Sequence, residues 1–167
     1  RGSIAAMYNY GLMLYTGQIF KMNKEEGIKY LKMASDRGDA DSSYELAKIL
    51  MKENGSVINA EIIKYVKMAA DKGCIGAIQL YASCLISGNG IQVNIKEAIK
   101  YFKKATDAGD SISMFYYATL LYKFDESRKK EAIEYFKMAA DNGVVEAMND
   151  YATILFNGMG IEMNKKE

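Results

Sequence analysis

The sequence predicts an all-α chain: a right-handed α/α superhelix (solenoid) of helix-turn-helix repeats of about 34–36 residues. Three observations predict it. Glycine recurs as Gly2, Gly38, Gly73, Gly109 and Gly143, at spacings of 36, 35, 36 and 34 residues. Fixed companions precede four of these glycines: Tyr30, Tyr65, Tyr101 and Tyr135 eight residues before, Ala34, Ala69, Ala105 and Ala139 four before, and Asp36, Asp71, Asp107 and Asp141 two before. Between them apolar residues follow a helical period, and the chain has no proline to interrupt a helix. The units run over residues 2–37, 38–72, 73–108 and 109–142, with a partial fifth over 143–167, and form a single array over 1–167.

Each unit reads as two helices. The first follows the glycine: Met114, Tyr117, Ala118 and Leu121 stand at i, i+3, i+4 and i+7. Their counterparts are Met7, Tyr10, Gly11 and Leu14, then Ser43, Leu46, Ala47 and Leu50, then Ile78, Tyr81, Ala82 and Leu85, then Met148, Tyr151, Ala152 and Leu155. The third member is always small, which lets a facing helix approach closely. The loop that follows varies most. Gly88-Asn89-Gly90-Ile91 and Gly158-Met159-Gly160-Ile161 share a glycine-x-glycine-apolar turn, while Lys123 to Ser127 is shorter and lacks glycine. No strand precedes these glycines and no lysine-serine follows, so they do not read as a phosphate-cradling loop.

The second helix shows the plainer stripe, with Ala98, Tyr101, Phe102, Ala105 and Thr106 on one face and Lys100, Lys103 and Lys104 mostly opposite. Asn23 followed by Glu26, Asn94 by Glu97 and Asn164 by Glu167 resemble capping boxes at its start. The repeat glycine, free to take a left-handed conformation, is its stop. The recurring aspartates sit near the helix C-terminus, where the dipole disfavours them; local hydrogen bonding across the turn would offset that.

At 167 residues, with 50% hydrophobic and 26% charged residues, the chain can bury a substantial core. Its net charge of +1 supplies no bulk attraction to nucleic acid or to an anionic membrane, and no stretch is apolar for long enough to span one. Cys74 and Cys84 read as reduced, small apolar fillers rather than a disulfide, and sparse cysteine use favours a reducing, cytoplasmic setting. Histidine is absent, which removes the ordinary general base near neutral pH, the catalytic triad and the imidazole metal site. Two cysteines without histidine make no four-ligand zinc site. We therefore expect no catalysis, no cofactor and no metal.

The glycine-x-glycine-apolar turn, the cap, Lys96-Glu97-Ala98-Ile99 before Tyr101-Phe102, and the Ala-Asp-x-Gly endings together resemble the Sel-1-like repeat, a relative of the tetratricopeptide repeat. The resemblance covers essentially the whole chain and is best in the third unit. The second unit lacks the glycine-x-glycine turn and the fourth shortens it. The tryptophan and closing proline of the tetratricopeptide pattern are missing. Pentatricopeptide repeats, which read RNA, would call for a more basic chain. The resemblance implies an adaptor that assembles protein complexes.

The superhelix implies the same function. First helices line its inner face, and the residues not needed for stacking point into that groove. By spacing these are Tyr8 and Leu12, Tyr44 and Lys48, Gln79 and Ser83, Phe115 and Thr119, and Asn149 and Thr153. The expected partner is a protein or peptide segment, with Tyr8, Tyr44, Phe115 and Tyr122 as anchors. The alternative reading is that these positions simply face solvent and drift. A rival function is a structural spacer, or a self-association module stacking through its ends. The chain begins at Arg1 and stops within a helix signal, so we expect a fragment of a longer array.

Overall fold

Each recurring glycine ends one helix and lets the next begin almost at once. In the computed structural model, which describes residues 3–158, Gly38, Gly73, Gly109 and Gly143 have φ of 86°, 94°, 88° and 90°. That is the left-handed region, which glycine enters without a steric cost. The glycine N–H donates to the carbonyl three residues back, as from Gly38 to Ser35 at 2.8 Å and from Gly109 to Thr106 at 2.9 Å. The following N–H donates five back, to the recurrent alanine: Asp39 to Ala34, Cys74 to Ala69, Asp110 to Ala105 and Val144 to Ala139, at 3.0–3.3 Å. These are Schellman closures. The residue that completes each closure also starts the next helix. Asp39 accepts from the Ser42 N–H at 2.8 Å and Asp110 from the Ser113 N–H at 2.7 Å, whereas Cys74 and Val144 hold the same place without a side-chain cap.

The described residues form nine α-helices and no strand: α1 (Ile4–Thr16), α2 (Lys24–Ser35), α3 (Ala40–Glu53), α4 (Ala60–Asp71), α5 (Ile75–Ser87), α6 (Ile95–Asp107), α7 (Ser111–Phe124), α8 (Lys129–Asp141) and α9 (Val145–Phe156). They fall into two compact units, Arg1–Asn94 and Ile95–Glu167. Within each, helices pack chiefly on their sequence neighbours, α1 through α5 in the first and α6 through α9 in the second. Gly2, the end of the last glycine-x-glycine turn (159–161) and the Asn164/Glu167 box lie outside the described residues.

In the first unit α1 and α2 cross backbone to backbone. A Cβ added to Gly11 would come within 3.0 Å of the Gly27 carbonyl oxygen, and one added to Gly27 within 2.7 Å of the Gly11 carbonyl oxygen. This is the close approach that a small residue in the first helix permits. Around it Met7, Leu14, Leu31 and Ala34 are buried, followed by Leu46, Ala47, Ile62, Val66, Ile78, Tyr81, Ala82 and Leu85. In the first and fourth repeats the recurring tyrosine of the second helix packs edge-on against a tyrosine of the first helix. Tyr10 and Tyr30 lie 4.8 Å apart at 87°, and in the second unit Tyr117 and Tyr135 lie 5.1 Å apart at 84°. Such pairs prefer edge-to-face contact.

The second unit buries Ala98, Phe102, Ala105, Met114, Tyr117, Ala118, Leu121 and Phe136. On α9 the buried residues are Ala147 and Ile154, while Met148 (44%) and Leu155 (37%) of the expected stripe stay exposed. Of that stripe Tyr151 packs against the Ala118–Phe136–Ile154 cluster, while Met148, Ala152 and Leu155 stay exposed.

The loops explain the variation in the sequence. Gly17 and Gly88, with φ of 72° and 76°, close α1 and α5, and the same longer bond follows each: Asn23 N–H to Leu14 O at 2.9 Å and Asn94 N–H to Leu85 O at 2.8 Å. Asn23 caps α2 by accepting from the Glu26 N–H at 3.1 Å. The return bond of the expected box runs from the Asn23 side-chain amide to the Glu26 carboxylate, also at 3.1 Å. Where glycine-x-glycine is missing, Gly55 and Ser56 take φ of 60° and 66° instead. Where glycine is missing altogether, a 3-10 turn (Glu126–Arg128) carries Arg128, whose Nε and Nη2 donate to the Glu131 carboxylate at 2.8 Å each. The hydroxyl of buried Tyr117 joins them, donating to Glu131 at 3.0 Å and accepting from Arg128. This clasp holds α7 to α8. Two of the recurring aspartates, Asp71 and Asp107, are met by lysines one turn back on their own helices, Lys67 and Lys103, which offsets the unfavourable end of the dipole.

Candidate partner-binding surface

Tyr44 on α3 is held by what it touches. Its ring lies over α5 so closely that a Cβ on Gly76 would meet the Tyr44 hydroxyl at 2.7 Å and two ring carbons at 2.9 Å. Glycine at that position is what lets the ring settle there. Burial pushes the Tyr44 hydroxyl above its usual range, against the pull of Lys48. Lys48, one turn on, places its Nζ 5.2 Å from the Tyr44 ring centroid and pairs with Glu45 at 2.5 Å. On α1, burial and then the Glu45 and Asp41 carboxylates raise the Tyr8 hydroxyl. Tyr8 thus shares an electrostatic neighbourhood with the start of α3.

Between α3 and α5 these residues open into a depression of about 480 Å³, lined by Tyr44, Lys48, Met51, Lys52, Ser56 and Leu80. The second unit has a depression of about 490 Å³ between α7 and α9, floored by Phe136 of α8. It is lined by Thr119, Tyr122 and Lys123 from α7 and by Asp150, Thr153, Ile154 and Asn157 from α9 or its end. Thr119 and Thr153 spend their hydroxyls on the carbonyls of Phe115 (2.9 Å) and Asn149 (2.8 Å). Their contribution to the wall is therefore largely apolar. Beneath it Ala118, Phe136 and Ile154 form a buried cluster.

The two depressions use the same repeat positions. Lys48 and Thr119 stand ten residues after their repeat glycine, Met51 and Tyr122 thirteen, and Lys52 and Lys123 fourteen. From the following repeat come Leu80 and Asp150, each seven residues after its glycine. The two depressions thus share four lining positions, filled by different side chains, and differ in the rest of their walls.

Four of the ten sequence-predicted positions, Tyr44, Lys48, Thr119 and Thr153, line these depressions, as does Tyr122. Tyr8, Leu12, Gln79, Ser83, Phe115 and Asn149 do not. Tyr8, Leu12 and Gln79 are half-buried and Ser83 and Asn149 exposed. Phe115 is partly buried against two core clusters and lies 6.0 Å from the Phe136 ring. Truncating it removes core packing, so Phe115→Ala should lower the melting temperature. Sequence spacing alone did not single out Met51, Lys52, Leu80, Lys123 or Asp150. The register shared by the two depressions identifies them.

Cys74 and Cys84 are free thiols, and burial pushes the Cys84 thiol up. Among the described residues no group of three or more carboxylates or thiols could hold a metal ion, and no helix is long and apolar enough to cross a membrane.

Two-helix units joined by Schellman closures, with repeated depressions between their first helices, define an all-α helical-repeat protein. The chain belongs to the Sel1 repeat family, whose profile matches residues 4–39, 76–110, 111–144 and 145–167. The intervening stretch, 40–75, holds α3 and α4, where the glycine-x-glycine turn is missing. Two solved structures are similar. The crystal structure of a Sel1 repeat protein from Oxalobacter formigenes has a TM-score of 0.82 and 24% identity, over 95% of this chain and 67% of that one. The structure of c5321, a protective antigen present in uropathogenic Escherichia coli strains and displaying an SLR fold, has a TM-score of 0.75 and 18% identity, over 98% of this chain and 36% of that one. At these identities the likeness is one of fold, and the chain spans only part of either relative. No curated protein sequence matches it. Sel1 repeat proteins generally serve as protein-interaction scaffolds and are typically not enzymes.

Proposed function

We propose that this chain is a non-catalytic adaptor that binds a protein or peptide segment along the face formed by its first helices. The observation that carries the reading is a depression between first helices in each compact unit, the two sharing four repeat positions. A stacking core needs no such openings, and each lies between first helices of successive repeats, where a bound segment would meet it. Half-buried Tyr44 and Tyr122 supply aromatic area at low entropic cost. The absence of histidine from the whole chain supports the non-catalytic part. A photo-crosslinking residue placed at Met51 or Tyr122 should give defined adducts in cells, and the same residue at exposed Lys64 or Lys137 on second helices should not. Adducts equally strong from the second helices would overturn the reading.

A second reading, self-association through the ends, draws on exposed apolar residues at both extremities: Ile4, Phe20 and Met33 at one, and Val145, Met148, Leu155 and Phe156 (91% exposed) at the other. Light scattering over a concentration series tests it. Growth in mass that Met148→Lys with Phe156→Asp abolishes would favour this reading, and a constant monomer mass would remove it.

A further inference from the structure

The two depressions share a shape but differ in charge, and the difference points to the chemistry of a partner. In the α3–α5 depression Tyr44, Met51 and Leu80 supply aromatic and apolar surface, Lys48 and Lys52 supply the charge, and no carboxylate lines it. In the α7–α9 depression Lys123, at the position equivalent to Lys52, shares the lining with Asp150, at the position equivalent to Leu80.

The two lysines of the first depression are not equivalent. Lys48 is oriented: it pairs with Glu45 and lies over the Tyr44 ring. Lys52 forms no ion pair among the described residues and is exposed in the last turn of α3. Its charge reaches the neighbouring Glu53 carboxylate, but that carboxylate pairs with Lys24. An apolar side chain seated against Tyr44, Met51 and Leu80 would bring its flanking residues to this lysine. Those flanking residues are favoured when they are carboxylates and disfavoured when they are ammonium groups.

We propose that the α3–α5 depression recognises an acidic segment carrying an apolar anchor: a leucine- or phenylalanine-type side chain in the depression, with an adjacent Asp or Glu on Lys52. This rests on the reading that the first-helix face binds a segment, and adds to it the partner's charge and the residue that reads it. Lys52 is a specificity residue, whereas the apolar residues provide the anchor site.

Three fluorescein-labelled synthetic peptides test it, sharing the same leucine and phenylalanine positions and differing only in having Glu, Gln or Lys between them. They are titrated by fluorescence anisotropy into the whole chain and its variants. The Glu peptide should bind about five- to tenfold more tightly than the Lys peptide, with the gap closing as salt rises. Lys52→Glu should remove or invert that order, Lys52→Arg should keep it, and Lys123→Glu should change it less, since Asp150 already shares that depression. Circular dichroism confirms that each variant is folded. If all three peptides bind alike and Leu80→Ser weakens them all, the charge assignment fails and the first-helix face stands. If the Glu peptide binds but is indifferent to both Leu80→Ser and Lys52→Glu, the site is elsewhere and both fail. Both also fail if no peptide binds.

Discussion

Gly27 lies inside α2, where alanine is the better helix former by about 1 kcal/mol. Local propensity alone would therefore make Gly27→Ala stabilising. The crossing with α1 argues the reverse. The new methyl carbon would sit 2.7 Å from the Gly11 carbonyl oxygen and 2.7 Å from the Tyr15 backbone nitrogen, where ordinary contact begins at 3.4 Å. Both opposing atoms are backbone, so neither can rotate away and the helices must part. Parting them loosens Leu31, which is wholly buried, and the Tyr10–Tyr30 pair. Overpacking of this kind costs up to about 3 kcal/mol, which outweighs the propensity gain and leaves a net loss of about 2 kcal/mol. For a chain of this size the melting temperature should fall by roughly 4–8 °C, read by far-UV circular dichroism. Gly76→Ala is the control. The three nearest atoms to its methyl all belong to the far end of the Tyr44 side chain, which can shift as backbone cannot, so stability should fall much less than for Gly27→Ala while the α3–α5 depression is reshaped. An equal or higher melting temperature for Gly27→Ala would refute the close-crossing argument.

Three further outcomes are expected. Among the described residues Thr106 buries its hydroxyl without a hydrogen-bond partner, so Thr106→Val should stabilise by about 1 kcal/mol, seen as a higher urea midpoint at unchanged slope. Gly109→Ala has open space for its methyl but a φ of +88°, so it should cost about 1–2 kcal/mol through backbone strain alone, measured by the same urea titration. Glu131 is held below its ordinary 4.5, first by the hydrogen bond from Arg128 and then by Tyr117, against the opposing effect of burial. Its contribution is fully present above the unfolded value and lost as pH falls through the lower folded one. Glu131→Gln should therefore lower the melting temperature at neutral pH and flatten its decline below about pH 4.5, measured by calorimetry across that range.

The repeat was legible because it is local. A glycine eight residues after tyrosine, four after alanine and two after aspartate is one helix end written four times. The Schellman bonds that make those offsets necessary span only six residues. Stacking positions were legible for a related reason: helical period assigns a face, and Met114, Tyr117, Ala118 and Leu121 are all buried as that period requires. The same logic divided the candidate site. Tyr44 and Lys48 were accessible to it because they lie on one helix face. Leu80 was not, because its membership depends on how α5 lies against α3, a matter of the Gly76–Tyr44 contact.

Sequence by itself determined the unit, its helices, its stops and the family to which it belongs, since each rests on bonds or periods within a few turns of chain. Tertiary structure alone decided which unit loops close by glycine, by Ser56 or by the Arg128–Glu131–Tyr117 clasp, which first-helix residues share a depression, and that Phe115 serves the core. The physical reason is range: hydrogen bonds along one helix fix neighbours in sequence, whereas a depression is the space left between two helices, and its walls depend on the side chains that set their separation.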